Sequence, residues 1–417
     1  MTDACFASDQ GLIAADEALA ALLDSAQPIA ASETLPLAEA LGRIVHDAVV
    51  SPIDVPGYDN SAMDGYAVRA AELEAADGTH PVHLPVSQRV AAGSQPGPLE
   101  MGSAARIFTG APIPAGADSV VMQEVVHERD AVACFTLPAP VGDNIRPRGN
   151  DIAREAGIIE PGVRLGPGHL GLAASVGVAE LSVFRRLRVA VFFTGDEIVA
   201  PGEPLRAGQI YNSNAWTLTG LLRQMGCEVI DLGRVADRFD DTLDALQKAA
   251  ARADVVMTSG GMSVGEEDHV KAAVEQAGEL DLWRIAIKPG KPFAHGRVGD
   301  AVFMGLPGNP VSVFVTFLWL ARPVLLRMMG AREVLPTALP MRSGFAWPRA
   351  QPRRELLRVQ IQADGHGGLH AVPFPRQGSD VLSSVVWAHG LAEIPEGQTI
   401  EPGDTVNYYA LTDLLHG

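Results

Sequence analysis

Lysine is nearly absent from this chain. Lys and Arg together number 32, yet only Lys248, Lys271, Lys288 and Lys291 are lysines, and two of these stand three residues apart in "IAIKPGKPF", residues 285–293. Cysteine is scarce as well. Cys5, Cys134 and Cys227 are scattered, odd in number and without CxxC or Cys/His spacing, which excludes a disulfide framework or a zinc finger and suits a reducing cytosol. None of the 11 histidines forms an HxH or HExxH group, and GxSxG does not occur, so zinc hydrolysis and acyl transfer are poor readings. Positive charge is lacking too: a formal net charge of -18 and a pI near 5.0 argue against a nucleic-acid or acidic-membrane surface. Long apolar runs are missing. The opening residues show no basic n-region followed by an apolar stretch, and the longest run, "VSVFVTFLWLA" at 311–321, reaches about half a membrane span and reads as a buried helix. The expectation is a cytoplasmic protein with no membrane and no nucleic-acid partner.

What is present is a globular composition, with 47% hydrophobic residues over 417 positions, enough for three or four domains. Residues 11–26 carry helical apolar spacing. From 54 to 147 the chain is dense in Gly, Pro, Val and Ile with strand-sized runs such as "RIFTG" and "VACFTL", which predicts an inserted β module. Residues 1–53 and 148–182 are expected to join as a small linking domain, the second segment packing back on the N-terminal helix. From 183 to 332 strands alternate with helices: "RLRVAVFFTGDEIV", "SNAWTLTGLLRQMG" beginning at a cap on Ser213 or Asn214, "CEVIDLGRV", "DDTLDALQKAAARA" capped by Asp240 or Asp241, "DVVMTSGG" and "DHVKAAVEQAG". That alternation predicts a doubly wound α/β domain. Residues 333–417 return to short strands and predict a C-terminal β-barrel or sandwich.

Ligands of an open parallel sheet bind beyond the carboxyl ends of its strands. There "TSGGMSVGEED" supplies Ser259, Gly260, Gly261, Ser263 and Gly265 for close backbone approach to a phosphate, although the spacing is neither GxGxxG nor a P-loop. Asp268 ends this loop. An acidic residue in a first helical turn often serves only the helix dipole, but with Glu197 of "TGDE" and Asp237 of "VADRFDD" it forms a candidate magnesium site. In "IKPGKP", Pro289 and Pro292 stiffen the segment and Gly290 permits a sharp turn, so Lys288 and Lys291 are aimed at an oxyanion rather than free in solvent. Ser312, at the start of the apolar helix after "GLPGNP", is a further contact. Asp59, in "DVPGYDNSAMDGYAV", belongs to a polar cluster that closes turns or meets a partner, and Thr109 ends the strand "RIFTG".

"DNSAMDGYAV", "RIFTGAPIPAGAD", "GDNIRPRGNDI", "FTGDEI", "GQIYNSNAWTL", "TSGGMSVGEED", "IKPGKPFAHG" and "GLPGNPVSVFVTF", in this order, resemble the bacterial molybdopterin molybdenumtransferases and the E domain of gephyrin. The resemblance runs along essentially the whole chain. It implies an elongated homodimer that takes adenylylated molybdopterin and molybdate, releases AMP and leaves molybdenum on the pterin, with Mg2+ taking part. It also implies transient contact with other cofactor-biosynthesis proteins and apo-molybdoenzymes. Functional positions carried over are Asp59, Thr109, Asp151, Glu197, Asp237, Asp268, Lys288 and Lys291, with Asp237 and Asp268 on the metal and Pro292 beside the lysines. For the last domain it implies an oxyanion-binding arginine and serines, here Arg353 or Arg358, and Ser379 and Ser383. A scaffold of gephyrin type and a molybdopterin adenylyltransferase are the competing functions.

Overall fold

The computed structural model of the chain describes residues 11–261, 269–365 and 367–416. Its central sheet has six strands, β1 (Arg188–Thr194), β2 (Glu228–Val235), β3 (Val255–Ser259), β4 (Gly278–Arg284), β5 (Pro292–Val298) and β6 (Ala301–Leu306), in the order β2-β1-β3-β6-β5-β4. β2, β1, β3 and β6 are mutually parallel, whereas β5 runs antiparallel to β6 and β4 antiparallel to β5. The doubly wound pattern thus holds for four strands. The antiparallel extension follows from Gly299-Asp300, a two-residue hairpin turn between β5 and β6.

β1 shows why both faces are covered. Its near-continuous apolar run sends Val189, Val191 and Phe193 to one core and Ala190 and Phe192 to the other, as the two-residue period of a strand requires. Helix α2 (Ser213–Met225) and the long helix α5 (Pro310–Met328) cover the first face, while α3 (Phe239–Ala250) and α4 (His269–Ala277) cover the second. α5 is long and apolar enough to cross a membrane, but 94% of its apolar window is buried inside the protein. It is a core helix.

Two helix starts differ from expectation. The cap of α2 is Asn212, whose side chain accepts from Ala215 N at 3.1 Å, one residue before Ser213. Asp240 and Asp241 lie inside the first turn of α3, where Asp241 pairs with Arg238 at 2.5 Å. There they face the dipole rather than capping it.

Helix α1 (Ala15–Ser25) also departs from expectation. It buries Ala15, Ala18 and Leu22 in the core shared by β1 and α5, and Ile13 is tied to the central domain by Ile13 N→Arg284 O and Ala286 N→Ile13 O, both 2.8 Å. Residues 157–184 pack instead on 32–50, through Glu180–Phe184 against Ser32–Pro36 and Gly157–Ile159 against Val49–Val50. Between these segments lies a six-stranded sheet built from 65–135, with its own two cores.

At the C-terminus, strand Arg354–Ala363 pairs with both Leu369–Pro373 and Gly390–Ile394, which closes a β-barrel. The two-residue strand Ile287–Lys288 joins that barrel in parallel, Ile287 opposite Arg354 and Lys288 opposite Glu355.

At the foot of the sheet, Asp254 receives Arg185 through two bonds of 2.8 and 2.7 Å and the Arg188 backbone at 2.8 Å. Burial raises its carboxyl pKa, but the bonds from Arg185 and Arg188 outweigh this and hold it at about 2. A folded value below the unfolded value near 4 means stabilisation present above that pH and lost as pH falls toward 2. Asp254→Asn should cost about 1–3 kcal/mol at pH 7, and its penalty relative to the parent should shrink on acidification. Urea unfolding at pH 7 and pH 3 checks both; equal penalties at the two values would reject the assignment.

Candidate active site

The site is built where β1, β3 and β6 end together. Phe193 is level with Ser259, and Ser259 with Leu306. Beyond them Gly260 donates to Leu306 O at 3.2 Å, and Asn214 of α2 donates through Nδ2 to Gly308 O at 2.6 Å. Gly261 has φ +63°, and a Cβ there would stand 2.6 Å from Val270 Cγ2 and 3.2 Å from Thr194 Oγ1. Glycine is therefore required for the backbone to lie this close to the neighbouring strand end. Ser259 Oγ and Asn214 Oδ1 are buried here without a hydrogen-bond partner among the described residues. Such orphaned groups cost about 1–3 kcal/mol each unless something polar meets them. Ser263, Gly265 and Asp268 lie outside the described residues.

The two-lysine loop docks on this crown through α5. Ile285 N donates to Lys291 O at 2.8 Å and closes the loop at its base. A Cβ on Gly290, whose φ is +112°, would lie 2.3 Å from Thr316 Cγ2 and 3.6 Å from Ser312 O. Lys288 Nζ lies 2.6 Å from Glu355 Oε1 of the barrel. Lys291 is half-buried, and Pro292 opens β5 immediately after it.

From the barrel, Ser379 O accepts Val311 N at 3.0 Å, which places the 377–384 loop against the start of α5 beside buried Ser312. Arg358 lies behind that loop, 1% exposed, donating to Ser384 Oγ (3.1 Å), Gly378 O (3.1 Å) and Leu356 O (3.3 Å). Burial pushes its pKa down to about 10, which leaves it charged at neutral pH. Between the two arginines, the buried one backing the loop is Arg358. Arg353 is half-buried, with Nε lacking a partner among the described residues. Of the serines, Ser379 reaches α5, whereas Ser383 is exposed at the start of a short helix and its neighbour Ser384 makes the bond to Arg358.

Asp59, Thr109 and Asp151 do not join this group through their own contacts. Asp59 Oδ1 accepts Arg148 N at 2.7 Å, Thr109 N and Oγ1 both donate to Asp64 Oδ1 at 2.8 Å, and Asp151 N donates to Val55 O at 2.9 Å. All three are exposed. The bonds from Thr109 hold the Asp64 carboxyl below the usual range.

For a cation, the described residues gather no group of three His, Cys, Asp or Glu. Asp237, half-buried just beyond β2, and Glu197, exposed beyond β1, end neighbouring strands. A hard ion such as Mg2+ takes one or two carboxylates and completes its shell with phosphate oxygens and water, so Asp237 beside a phosphate-bearing ligand fits that chemistry. Glu355 and Ser384 escaped sequence reasoning, and Asn214 was read only as a candidate helix cap. The first lies within "PRRELLRV" and the last within "GQIYNSNAW", but neither motif shows which side chain the fold turns inward.

Gly290→Ala should cost about 2–4 kcal/mol, from a left-handed φ and from the contact with Thr316. Thr316→Ser in that background keeps the hydroxyl bond to Ser312 O (2.7 Å) and removes the clashing methyl. It should recover part of the loss in a melting experiment. A Gly290→Ala protein as stable as its parent would show that the loop does not pack on α5.

The chain is similar to known proteins along its length. Residues 13–177 match the MoeA N-terminal region (domain I and II), 190–327 a probable molybdopterin binding domain, and 340–411 the MoeA C-terminal region (domain IV). A protein of Haemophilus influenzae named molybdopterin molybdenumtransferase is 38% identical over 411 residues, covering 97% of this chain and 100% of that one. One of the same name from Nostoc sp. is 38% identical over 398 residues, covering 90% and 87%. The crystal structure of a molybdopterin biosynthesis MoeA protein from Pyrococcus horikoshii superposes with a TM-score of 0.83 at 28% identity, over 96% of this chain and 100% of that one. With the α/β crown, the docked lysine loop and the closed barrel arranged in this order, and full-length relatives at this identity, the chain belongs to the molybdopterin molybdenumtransferase (MoeA) family.

Proposed function

We propose that this protein inserts molybdenum from molybdate into adenylylated molybdopterin, releasing AMP and the molybdenum cofactor. The observation that carries the reading is the double docking of the "KPGK" loop. Gly290 seats it on α5 at the glycine crown, and Lys288 meets the barrel at 2.6 Å. Ammonium groups aimed this way suit a tetrahedral dianion, which must be held and then released. The names of the relatives supply molybdopterin and molybdenum transfer.

In this reading the buried hydroxyl of Ser259 and the amide oxygen of Asn214 meet the pterin nucleotide. The amides of Gly260 and Gly261 lie against its phosphates. Lys291 and Lys288 hold the oxyanion and offset its negative charge beside the phosphoanhydride. Arg358 fixes the loop that carries Ser379 toward the same space. Mg2+, held by Asp237 with Asp268, would neutralise phosphate charge. Glu197, at the neighbouring strand end, orients water or substrate there.

Lys291→Ala should weaken molybdate use by roughly thirtyfold, the equivalent of about 2 kcal/mol for one charge-assisted contact, and Lys291→Arg should recover only part. AMP release against molybdate concentration reads this, and the same assay against magnesium should single out Asp237→Asn by a raised requirement. Unchanged molybdate dependence in a folded Lys291→Ala protein would overturn the role of the loop. Adenylylation of molybdopterin from ATP would indicate the adenylyltransferase activity, and failure of both reactions would leave a scaffold.

The exposed cluster of Asp59, Thr109 and Asp151 completes the site of a second copy in a homodimer. Heterodimers combining an Asp59→Asn chain with a Lys291→Ala chain should regain activity, because one of their two sites is then intact. Heterodimers as inactive as either parent would place Asp59 outside a shared site.

A further inference from the structure

The ammonium of Lys288 already has a counter-ion. Glu355, 2.6 Å away, has a side chain only 3% exposed, while that of Lys288 is 41% exposed. The second oxygen of Glu355 accepts from Trp347 Nε1 at 2.5 Å. The backbone fixes the pair, because Lys288 and Glu355 stand directly opposite each other in the parallel ladder. The adjacent guanidinium of Arg354 is engaged elsewhere: it meets Asp16 at 2.5 and 2.7 Å, Glu393 at 3.2 Å and Glu396 at 3.4 Å. Glu355 is thus a carboxylate unable to turn to water, facing a lysine that can.

We propose that Glu355 is a positioning residue of the oxyanion site, which it serves by sharing the ammonium of Lys288 with the incoming oxyanion. This rests on the reading of Lys288 as an oxyanion ligand. An ammonium has three donors, so one can stay on Glu355 while the others turn outward. The carboxylate behind it sets the direction of the lysine and subtracts from the field that a dianion meets. Binding is weakened and release remains possible, as a transfer enzyme with a recurrent oxyanion substrate needs.

Titration calorimetry with molybdate on the full chain at fixed ionic strength tests this, with a melting curve for each variant. Glu355→Gln loses the charge and keeps one acceptor oxygen, so that one of Trp347 Nε1 and Lys288 Nζ faces an amide NH2 instead, and should bind molybdate about tenfold tighter. Trp347→Phe removes the competing donor, leaves the carboxylate to Lys288 alone and should bind more weakly. In a Lys288→Met background Glu355→Gln should bring no gain, since Glu355 acts through that lysine. A folded Glu355→Gln protein with unchanged or weaker affinity overturns the proposal, as does an equal gain without Lys288. Should Glu355→Gln fail to fold, Trp347→Phe decides, and equal or tighter binding there overturns it. Equal molybdate binding by the parent and Lys288→Met would remove Lys288 from the oxyanion site and this proposal with it. Weaker binding by Lys288→Met together with an unchanged Glu355→Gln would remove only the role of Glu355.

Discussion

The loop from 285 to 291 belongs to two domains at once, and the rest of the site depends on that constraint. It leaves β4 and returns as β5, closed at its base by Ile285 N→Lys291 O. Ile13 bridges to Ile285 from the N-terminal segment, Gly290 packs on Thr316 of α5, and Lys288 pairs with Glu355 of the barrel. Each of these partners comes from a different part of the chain. A side chain held from several directions keeps its geometry when a ligand arrives, which is the condition for placing a charge accurately.

Holding the barrel against this loop requires buried charge. Glu355, Arg358 and Glu393 are all buried, and removing such groups from water is unfavourable unless their donors and acceptors are met. The bonding is correspondingly dense around Glu393, which accepts from Asn407 Nδ2 (2.9 Å) and Tyr409 OH (3.0 Å) and is ion-paired with Arg354 Nε at 3.2 Å. Burial and this neighbouring carboxylate together push the Tyr409 hydroxyl pKa up. Gln377 bonds both the N and the O of Arg358 at 3.0 Å, so the loop bearing Ser379 is held at its backbone as well as by the guanidinium. Apolar residues would pack there at lower cost. The charged ones fix one arrangement of barrel and crown.

The parts legible in the sequence are those with a local physical signature. The run "RVAVFFT" announces a strand buried on both faces, "TSGG" after "DVVM" announces a strand end with close backbone approach, and prolines around Gly290 announce a stiff turn. The fold and family also follow from eight motifs in order. Contacts between distant segments carry no such signature. Nothing in "GLIAADEALAALLDS" states that α1 packs on the central domain and not on 148–182, because its apolar stripe would serve either. Likewise "PRRELLRV" shows three adjacent charges and a fourth three residues on, and only closure of the barrel decides that Glu355 lies on its inner face with Leu357 and Val359 while Arg358 is buried on the opposite face behind the 377–384 loop. Asn214 was obscured by its neighbour: Asn212 takes the cap, which frees the side chain of Asn214 to bond Gly308.

The scarcity of lysine acquires a physical meaning beside Arg354. There a guanidinium meets Asp16 through two bonds of 2.5 and 2.7 Å, one to each carboxylate oxygen. That geometry suits a permanent link between α1 and the barrel. One residue along the same strand, Glu355 meets a lysine instead, through a single contact of 2.6 Å to a half-exposed side chain. An ammonium has no plane to satisfy and can divide its donors between two anions. Arginine supplies the fixed links of this protein at Asp254, at Asp16 and behind the Ser379 loop. Two of the four lysines stand instead in one loop, where Lys288 meets its carboxylate through a single contact.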